Sequence, residues 1–79
     1  MKVTVHIERR PEIADPEGTA ISRSLVDLGY HVRSVRTGRT LHLEVDGEDV
    51  AAVEKLVDEM CQRLLTNPVI EDYRIEVEG

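Results

Sequence analysis

Three histidines (His6, His31, His42), one cysteine (Cys61) and the adjacent carboxylates Asp58 and Glu59 are the residues from which acid–base, nucleophilic or metal chemistry would have to be built here. His6 and His42 fall on the polar faces of two strands that should be neighbours, so their rings can approach. Two imidazoles with no third ligand at ordinary spacing read as a surface pair rather than a zinc site. His31 follows Gly29-Tyr30 and is expected in solvent. Cys61 lies on the apolar stripe of a helix, where a thiol acts as a small hydrophobe and not as a nucleophile. Asp58 and Glu59, being adjacent on a helix, point to different sides and form no carboxylate dyad.

Phosphate chemistry is equally poorly served. The glycines at 18, 29, 38, 47 and 79 are single, the first four mark helix ends or turns, and no GxGxxG or GxxxxGK[ST] cradle exists. Arg33, Arg36 and Arg39, with Arg9 and Arg10, are the one basic concentration. On a strand Arg33 and Arg36 take opposite faces, so ion pairs with acidic neighbours or with a partner subunit are expected ahead of an anionic ligand.

The elements that must position these residues are few. A chain of 79 residues makes one domain, spanning 1–79. A domain of that size buries only about 60–65% of its unfolded surface, so its core is one layer of side chains. The net charge of −6 is uneven: residues 1–45 hold seven Lys/Arg and six Asp/Glu, whereas residues 46–79 hold three and ten. The acidic second half argues against a nucleic-acid partner. One cysteine excludes an internal disulfide and any CxxC motif. No apolar run approaches the ~20 residues of a membrane span, and the alternating first residues do not resemble a signal peptide, so a cytoplasmic protein is expected.

Residues 2–9 alternate, with Val3, Val5 and Ile7 on one face: a half-buried strand. Asp15-Pro16-Glu17 has the composition of a helix start, and Ile21, Leu25 and Leu28 form an apolar stripe ending at Gly29. His31 to Thr37 reads as a second strand, with only Val32 and Val35 apolar. Gly38 reads as a turn, and Thr40 to Asp46 as a third strand with Leu41, Leu43 and Val45 inward. The T-G-R connection suggests a hairpin. Asp46-Gly47-Glu48-Asp49 opens a helix running to about Thr66, its stripe made by Val50, Val53, Val57, Met60 and Leu64 and widened by Leu56, Cys61 and Leu65. Asn67-Pro68 stops it, and a last strand follows, carrying Tyr73, Ile75 and Val77 on one side.

The order strand–helix–strand–strand–helix–strand predicts an α+β, two-layer βαββαβ sandwich, ferredoxin-like or closely related. Both helices would lie on one face of a four-stranded antiparallel sheet with the first and third strands central. A domain-swapped or sheet-extending dimer gives the same order along the chain. The last strand is then an edge, guarded by Glu71, Asp72, Arg74, Glu76 and Glu78 against random pairing yet open to a specific partner strand. Binding modules of this class leave signatures that are missing: stacking aromatics on the central strands for RNA, paired cysteines for metal carriage, and a glycine phosphate loop for an acylphosphatase.

Along its whole length the sequence resembles the PurS family, the small subunit of phosphoribosylformylglycinamidine synthase. The resemblance is carried by K-V-T-V-H-I, R-P-E-I-A-D-P-E-G, L-G-Y, V-R-T-G-R, L-H-L-E-V and, most specifically, E-M-C-Q-R-L-L-T-N-P-V-I-E-D-Y-R-I-E-V-E. Glu12, where many members have Gly, and Ala14, where a larger apolar residue is common, depart from the pattern. The resemblance implies a non-catalytic subunit of a glutamine- and ATP-dependent ligase of purine biosynthesis. Such a subunit forms a homodimer or dimer of dimers, bridges a glutaminase and a large synthetase subunit, and assists ammonia transfer. ATP, Mg and glutamine would be used by those partners, with no cofactor bound by this chain.

The residues expected to carry assembly are Arg9, Arg10, Pro11 and Asp15 in the first loop and Asn67, Pro68, Tyr73, Ile75 and Val77 at the last strand; Tyr73 could equally fill the core of its own chain. The competing reading is a stand-alone regulatory domain, similar in outline to the ACT class, that binds a small effector. A glycine-containing loop between first strand and first helix would favour it, and here that loop carries Pro11 and Pro16.

Overall fold

The computed structural model describes residues 1–78. Three strands and two α-helices follow one another as β1 (Lys2–Arg9), α1 (Pro16–Asp27), β2 (Gly38–Glu44), α2 (Val50–Met60) and β3 (Glu71–Glu78), with a π-helical turn at Cys61–Leu65 closing α2. The sheet is antiparallel in the order β2-β1-β3. On β1, Val3 lies between Leu43 and Val77, Val5 between Leu41 and Ile75, and Ile7 between Arg39 and Tyr73. Cross-strand partners share a face, so these rows form one apolar surface. α2 covers it, and Val3, Val5, Ile7, Val53, Val57 and Cys61 are fully buried. The spacing of 53, 57 and 61 is the helical repeat that faces this surface.

The expected fourth strand does not form. Residues 31–37 take no regular secondary structure, and among the described residues none from His31 to Arg36 shares a backbone–backbone hydrogen bond with the rest of the chain. The reason lies at Gly38. It is not the turn of a hairpin but the first residue of β2, paired with Glu8. Two further expectations fall with the hairpin. β2 spans Gly38–Glu44 rather than Thr40–Asp46, and it is an edge strand, leaving β1 alone in the centre. The first strand and the edge position of the last are as expected.

Nor do both helices cover the sheet. Among the described residues no helix or strand packs against α1. Its stripe therefore stays open: Ile21 is 39% exposed and Leu28 74%. α1 and the returning segment 31–37 instead form an arm, and Gly18 marks where they touch, since a β-carbon there would collide with the Val35 carbonyl oxygen. Gly29, at φ +99°, reverses the chain at the arm's tip. The radius of gyration is 15.9 Å and the extents are 49 × 25 × 14 Å; a compact domain of this length would have a radius of about 12 Å.

The second helix is shorter than its stripe. α-Helical winding ends at Met60, and the π turn leads to Thr66, whose amide and hydroxyl both donate to the Cys61 carbonyl, at 3.1 and 2.8 Å. Val50, Leu56 and Leu64 stand in solvent, while Met60 and Leu65 pack on the core edge.

Candidate functional site

Two side chains, Asp15 and Arg36, build the root of the arm. Asp15 is 4% exposed and caps α1 by accepting from the Gly18 amide at 3.0 Å. Its other oxygen accepts from the Thr37 amide at 2.6 Å, and the Thr37 hydroxyl donates to the same carboxylate at 3.0 Å. One carboxylate thus ties the start of the helix to the end of the segment 31–37. These donors, the Thr37 amide first and the Gly18 amide next, hold the Asp15 carboxyl at about 2, below its ordinary 3.8. Arg36 donates to the carbonyls of Arg10 at 2.9 Å and Ile13 at 3.0 Å, with a longer contact to Arg9 at 3.5 Å. Arg9 in turn donates to the Ala14 carbonyl at 2.7 Å. Of the arginine concentration in the sequence, Arg9 and Arg36 donate to backbone oxygens here and fix the arm relative to the sheet.

The loop after β1 also meets the turn before β3. The Arg10 amide donates to the Ile70 carbonyl at 2.8 Å, and its guanidinium donates to the Pro68 carbonyl at 2.6 Å and faces Asp72 at 3.4 Å. Arg9, Arg10, Pro11, Asn67 and Pro68, expected on sequence grounds as two separate candidate surfaces, therefore meet at one end of the sheet. Glu71 consolidates the place. It accepts from Arg39 at 2.6 and 3.1 Å and from the Asn67 amide at 2.7 Å, and Arg39 also donates to the Leu65 carbonyl at 2.8 Å. Arg39 first, then the Asn67 amide, keep the Glu71 carboxyl below the usual carboxylate range.

Tyr73, Ile75 and Val77 point to the helix face and pack on the core of their own chain. The Tyr73 hydroxyl donates to Asp58 and accepts from Gln62 at 2.7 Å. Burial, then the Asp58 carboxylate, raise the phenol above its ordinary value. What these three residues leave free is the outer backbone edge of β3, the unpaired flank of the sheet at that side.

The groups with catalytic potential are dispersed. His6 faces Glu76 at 3.4 Å, and His42 contacts the Thr4 hydroxyl at 3.5 Å, each ring with a different partner. Cys61 is fully buried, and burial raises its thiol. No group of three metal-ligating side chains converges among the described residues, and none of their helices is long and apolar enough to cross a membrane.

The family description "PurS: Phosphoribosylformylglycinamidine (FGAM) synthase" matches residues 2–79. The chain belongs to the PurS family. It is 42% identical over 78 residues to the phosphoribosylformylglycinamidine synthase subunit PurS of Methanocaldococcus jannaschii, covering 98% of this chain and 94% of that one. It is 41% identical to the Bacillus subtilis PurS subunit, covering 98% and 92%. Its fold superposes on the crystal structure of the M. jannaschii PurS with a TM-score of 0.88 at 40% identity, over 99% of this chain and 95% of that one. A chain in the structure of PurLQS from Thermotoga maritima matches with a TM-score of 0.87 at 34% identity, over 95% and 93%. The α+β class and the antiparallel sheet expected from the sequence agree with these PurS structures.

Sequence reasoning did not find Arg36, Thr37 and the open stripe of α1 as candidate surface. The signal was present but faint: a supposed strand with only Val32 and Val35 apolar is too polar to be buried on a face of its own sheet.

Proposed function

We propose that two copies of this chain act as the non-catalytic coupling element of a phosphoribosylformylglycinamidine synthase. As a PurS family member, the chain is the PurS subunit of that enzyme, in purine biosynthesis. Coupling here means bridging a glutaminase subunit and a large synthetase subunit and aiding the passage of ammonia between them. ATP, Mg and glutamine are used by those partners, no cofactor is held by this chain, and the assembly works in the cytoplasm. The observation that carries the reading is the match to a chain of the Thermotoga maritima PurLQS structure. It is supported by the chain's build: side chains that could do chemistry are scattered or buried, and the surfaces left unsatisfied are sheet edges and an apolar helix face.

The two-copy part of the proposal rests on the same surfaces. An open edge and an uncovered stripe are the features that isologous association satisfies. Arg9, Arg10, Pro11, Asn67 and Pro68, gathered at one end of the sheet, offer an exposed polar docking end for a larger subunit, and the β3 edge offers a backbone one.

The test is reconstitution. Purified glutaminase and synthetase subunits from the same host, given glutamine, ATP-Mg and formylglycinamide ribonucleotide, should form the amidine from glutamine only when this chain is added. Synthesis supplied with ammonium salt should depend on it much less. Equal glutamine-dependent rates with and without the chain would end the coupling role.

A further inference from the structure

We infer that the outer edge of β3 is a berth for one extended segment of a partner subunit, a segment in which apolar residues alternate with lysines or arginines. The inference deepens the docking role that the proposed function gives to this edge and rests on it.

The free backbone groups of this edge can be named. In an antiparallel pair, opposed residues alternate between those that exchange both hydrogen bonds and those that exchange none. Arg10 and Ile70 stand one position beyond the last β1–β3 pair, Arg9 with Glu71, and the Arg10 amide donates to the Ile70 carbonyl. Counting from that bonded rung, Asp72, Arg74, Glu76 and Glu78 turn their amides and carbonyls towards β1. Tyr73, Ile75 and Val77 turn theirs outward, where the order β2-β1-β3 gives them no neighbour. Unpaired backbone groups on an open edge are a template for another strand. One antiparallel strand laid there closes about six hydrogen bonds, two at each of the three residues. Its side chains opposite Tyr73, Ile75 and Val77 fall on the helix face. There a shallow groove beside Ile75 is lined by Ala51, Glu54, Lys55 and Asp58 of α2. Its alternate side chains fall on the other face, opposite Asp72, Arg74, Glu76 and Glu78.

Charge selects the occupant. On the outer face the edge row holds Asp72, Glu76 and Glu78 against one cation, Arg74, which is already paired with Glu76. On the helix face the groove sets Glu54 and Asp58 against Lys55. A segment with apolar residues towards Ile75 and Ala51 and basic residues towards Glu76 and Glu78 complements both faces, and an acidic one is repelled. A second copy of β3 does not qualify. In a twofold antiparallel pair centred on Arg74, Arg74 faces Arg74 and Asp72 faces Glu76. Centred on Ile75, Asp72 faces Glu78 twice, and centred on Glu76, Glu76 faces itself. These are the registers that pair most of the strand, and each opposes like charges, which is destabilising. The edge therefore refuses its own kind and admits a basic segment.

The test is amide hydrogen exchange on the full, unsubstituted chain, alone and in complex with purified glutaminase and synthetase subunits from the same host. Alone, the amides of Tyr73, Ile75 and Val77 should exchange at least about tenfold faster than those of Arg74 and Glu76, which bond to β1. In the complex the three should slow at least about tenfold, while Arg74 and Glu76 change little. Edge amides already slow in the chain alone would mean that a copy of this chain fills the edge, and edge amides that stay fast in the complex would mean that nothing does; either result overturns the inference. A charge reversal tests the occupant's chemistry. Glu76→Lys with Glu78→Lys should raise the dissociation constant of the complex at least about tenfold. Glu48→Lys with Glu59→Lys makes the same change of charge at exposed positions away from the edge and should leave it within about twofold. Equal effects of the two pairs would overturn the choice of a basic segment. A complex that makes the amidine from glutamine while the edge amides stay fast sinks this inference and leaves the coupling role standing, whereas a chain that neither subunit binds ends both.

Discussion

Val57 is fully buried between α2 and the sheet, and Val57→Ala measures how much of this chain's stability resides in that one contact layer. The substitution removes two methyl groups. At about 0.8 kcal/mol for each buried carbon the transfer loss is ~1.6 kcal/mol. The neighbours Val5, Val53 and Cys61 are buried too and belong to strand and helix backbones held by hydrogen bonds, so the site cannot collapse fully, and the residual cavity raises the cost to about 2.5 kcal/mol. That is roughly a 70-fold loss in the folding equilibrium. In a domain of this size it corresponds to a fall of roughly 10–20 °C in melting temperature. The assay is thermal or urea unfolding followed by circular dichroism at one fixed protein concentration, with Leu56→Ala as the comparison. Leu56 neighbours Val57 on the same helix but is 46% exposed, and its truncation should cost less than half as much. A cost below ~0.5 kcal/mol at Val57 would refute the assignment of the folding core to the β1–α2 contact.

Leu28→Ala should change the melting of a dilute sample little, because the side chain is 74% exposed in the single chain. In a two-copy assembly that covers the stripe the same truncation removes up to about 1.5 kcal/mol on each side, so the dimer dissociation constant read by analytical ultracentrifugation should rise roughly 100-fold. Stability should fall in acid as pH drops from about 4 towards 2. Asp15 titrates at about 2 in the folded chain against an ordinary 3.8, so its contribution is complete above pH 4 and lost through the lower value; Asp15→Asn should flatten that part of a plot of melting temperature against pH. Tyr73→Phe should cost ~1 kcal/mol for the lost bond to Asp58. It should also remove a decline at high pH, because the raised phenol favours the folded chain only while it stays protonated; a spectrophotometric titration of the tyrosines checks the direction.

The element types were legible in the residues, and the missing strand was not. Alternation at 2–9 and the 53–57–61 repeat report burial within one chain; the strand formed as read, and the helix formed where the repeat is buried but gave up its α-helical winding at Met60. Asp15 caps α1 as its type suggests, whereas Asn67 is not the left-handed cap that its type suggests: Thr66 ends the second helix in extended conformation, and Asn67 accepts from the Val69 amide in the turn before β3. The segment at 31–37, read as a strand, takes no regular secondary structure and has no strand partner in the chain among the described residues. Local pattern reports that a backbone is extended and says nothing about which chain supplies its hydrogen bonds. The same limit hid the fate of the Ile21–Leu25–Leu28 stripe. An apolar face signals that something covers it, and a sequence read alone supplies only its own sheet as the cover. Thr37-Gly38-Arg39 was the decisive misreading. Glycine between polar residues is turn composition, but here the missing β-carbon serves a close approach to the Ile7 carbonyl oxygen inside the sheet. The Asp15–Thr37 and Arg36–carbonyl bonds join residues far apart along the chain, and no periodicity encodes such pairs.

The arm poses an energetic question that only assembly answers. Ordering its backbone, residues 16–37, costs on the order of 1–2 kcal/mol per residue in conformational entropy. Helical hydrogen bonds in α1 and the bonds at the root offset part of that, but an isolated helix of 12 residues is marginal in water. Within one chain no helix or strand packs on α1 and no backbone pairs with residues 31–36. The remaining stabilisation must come from outside the chain. On the proposed function, a second copy would supply it by symmetry, and a larger subunit would add more at the β3 edge. A small subunit built in this way carries its folding and its assembly on the same surfaces. Weakening the dimer should therefore loosen α1 and the segment after it well before it loosens the β1–α2 core.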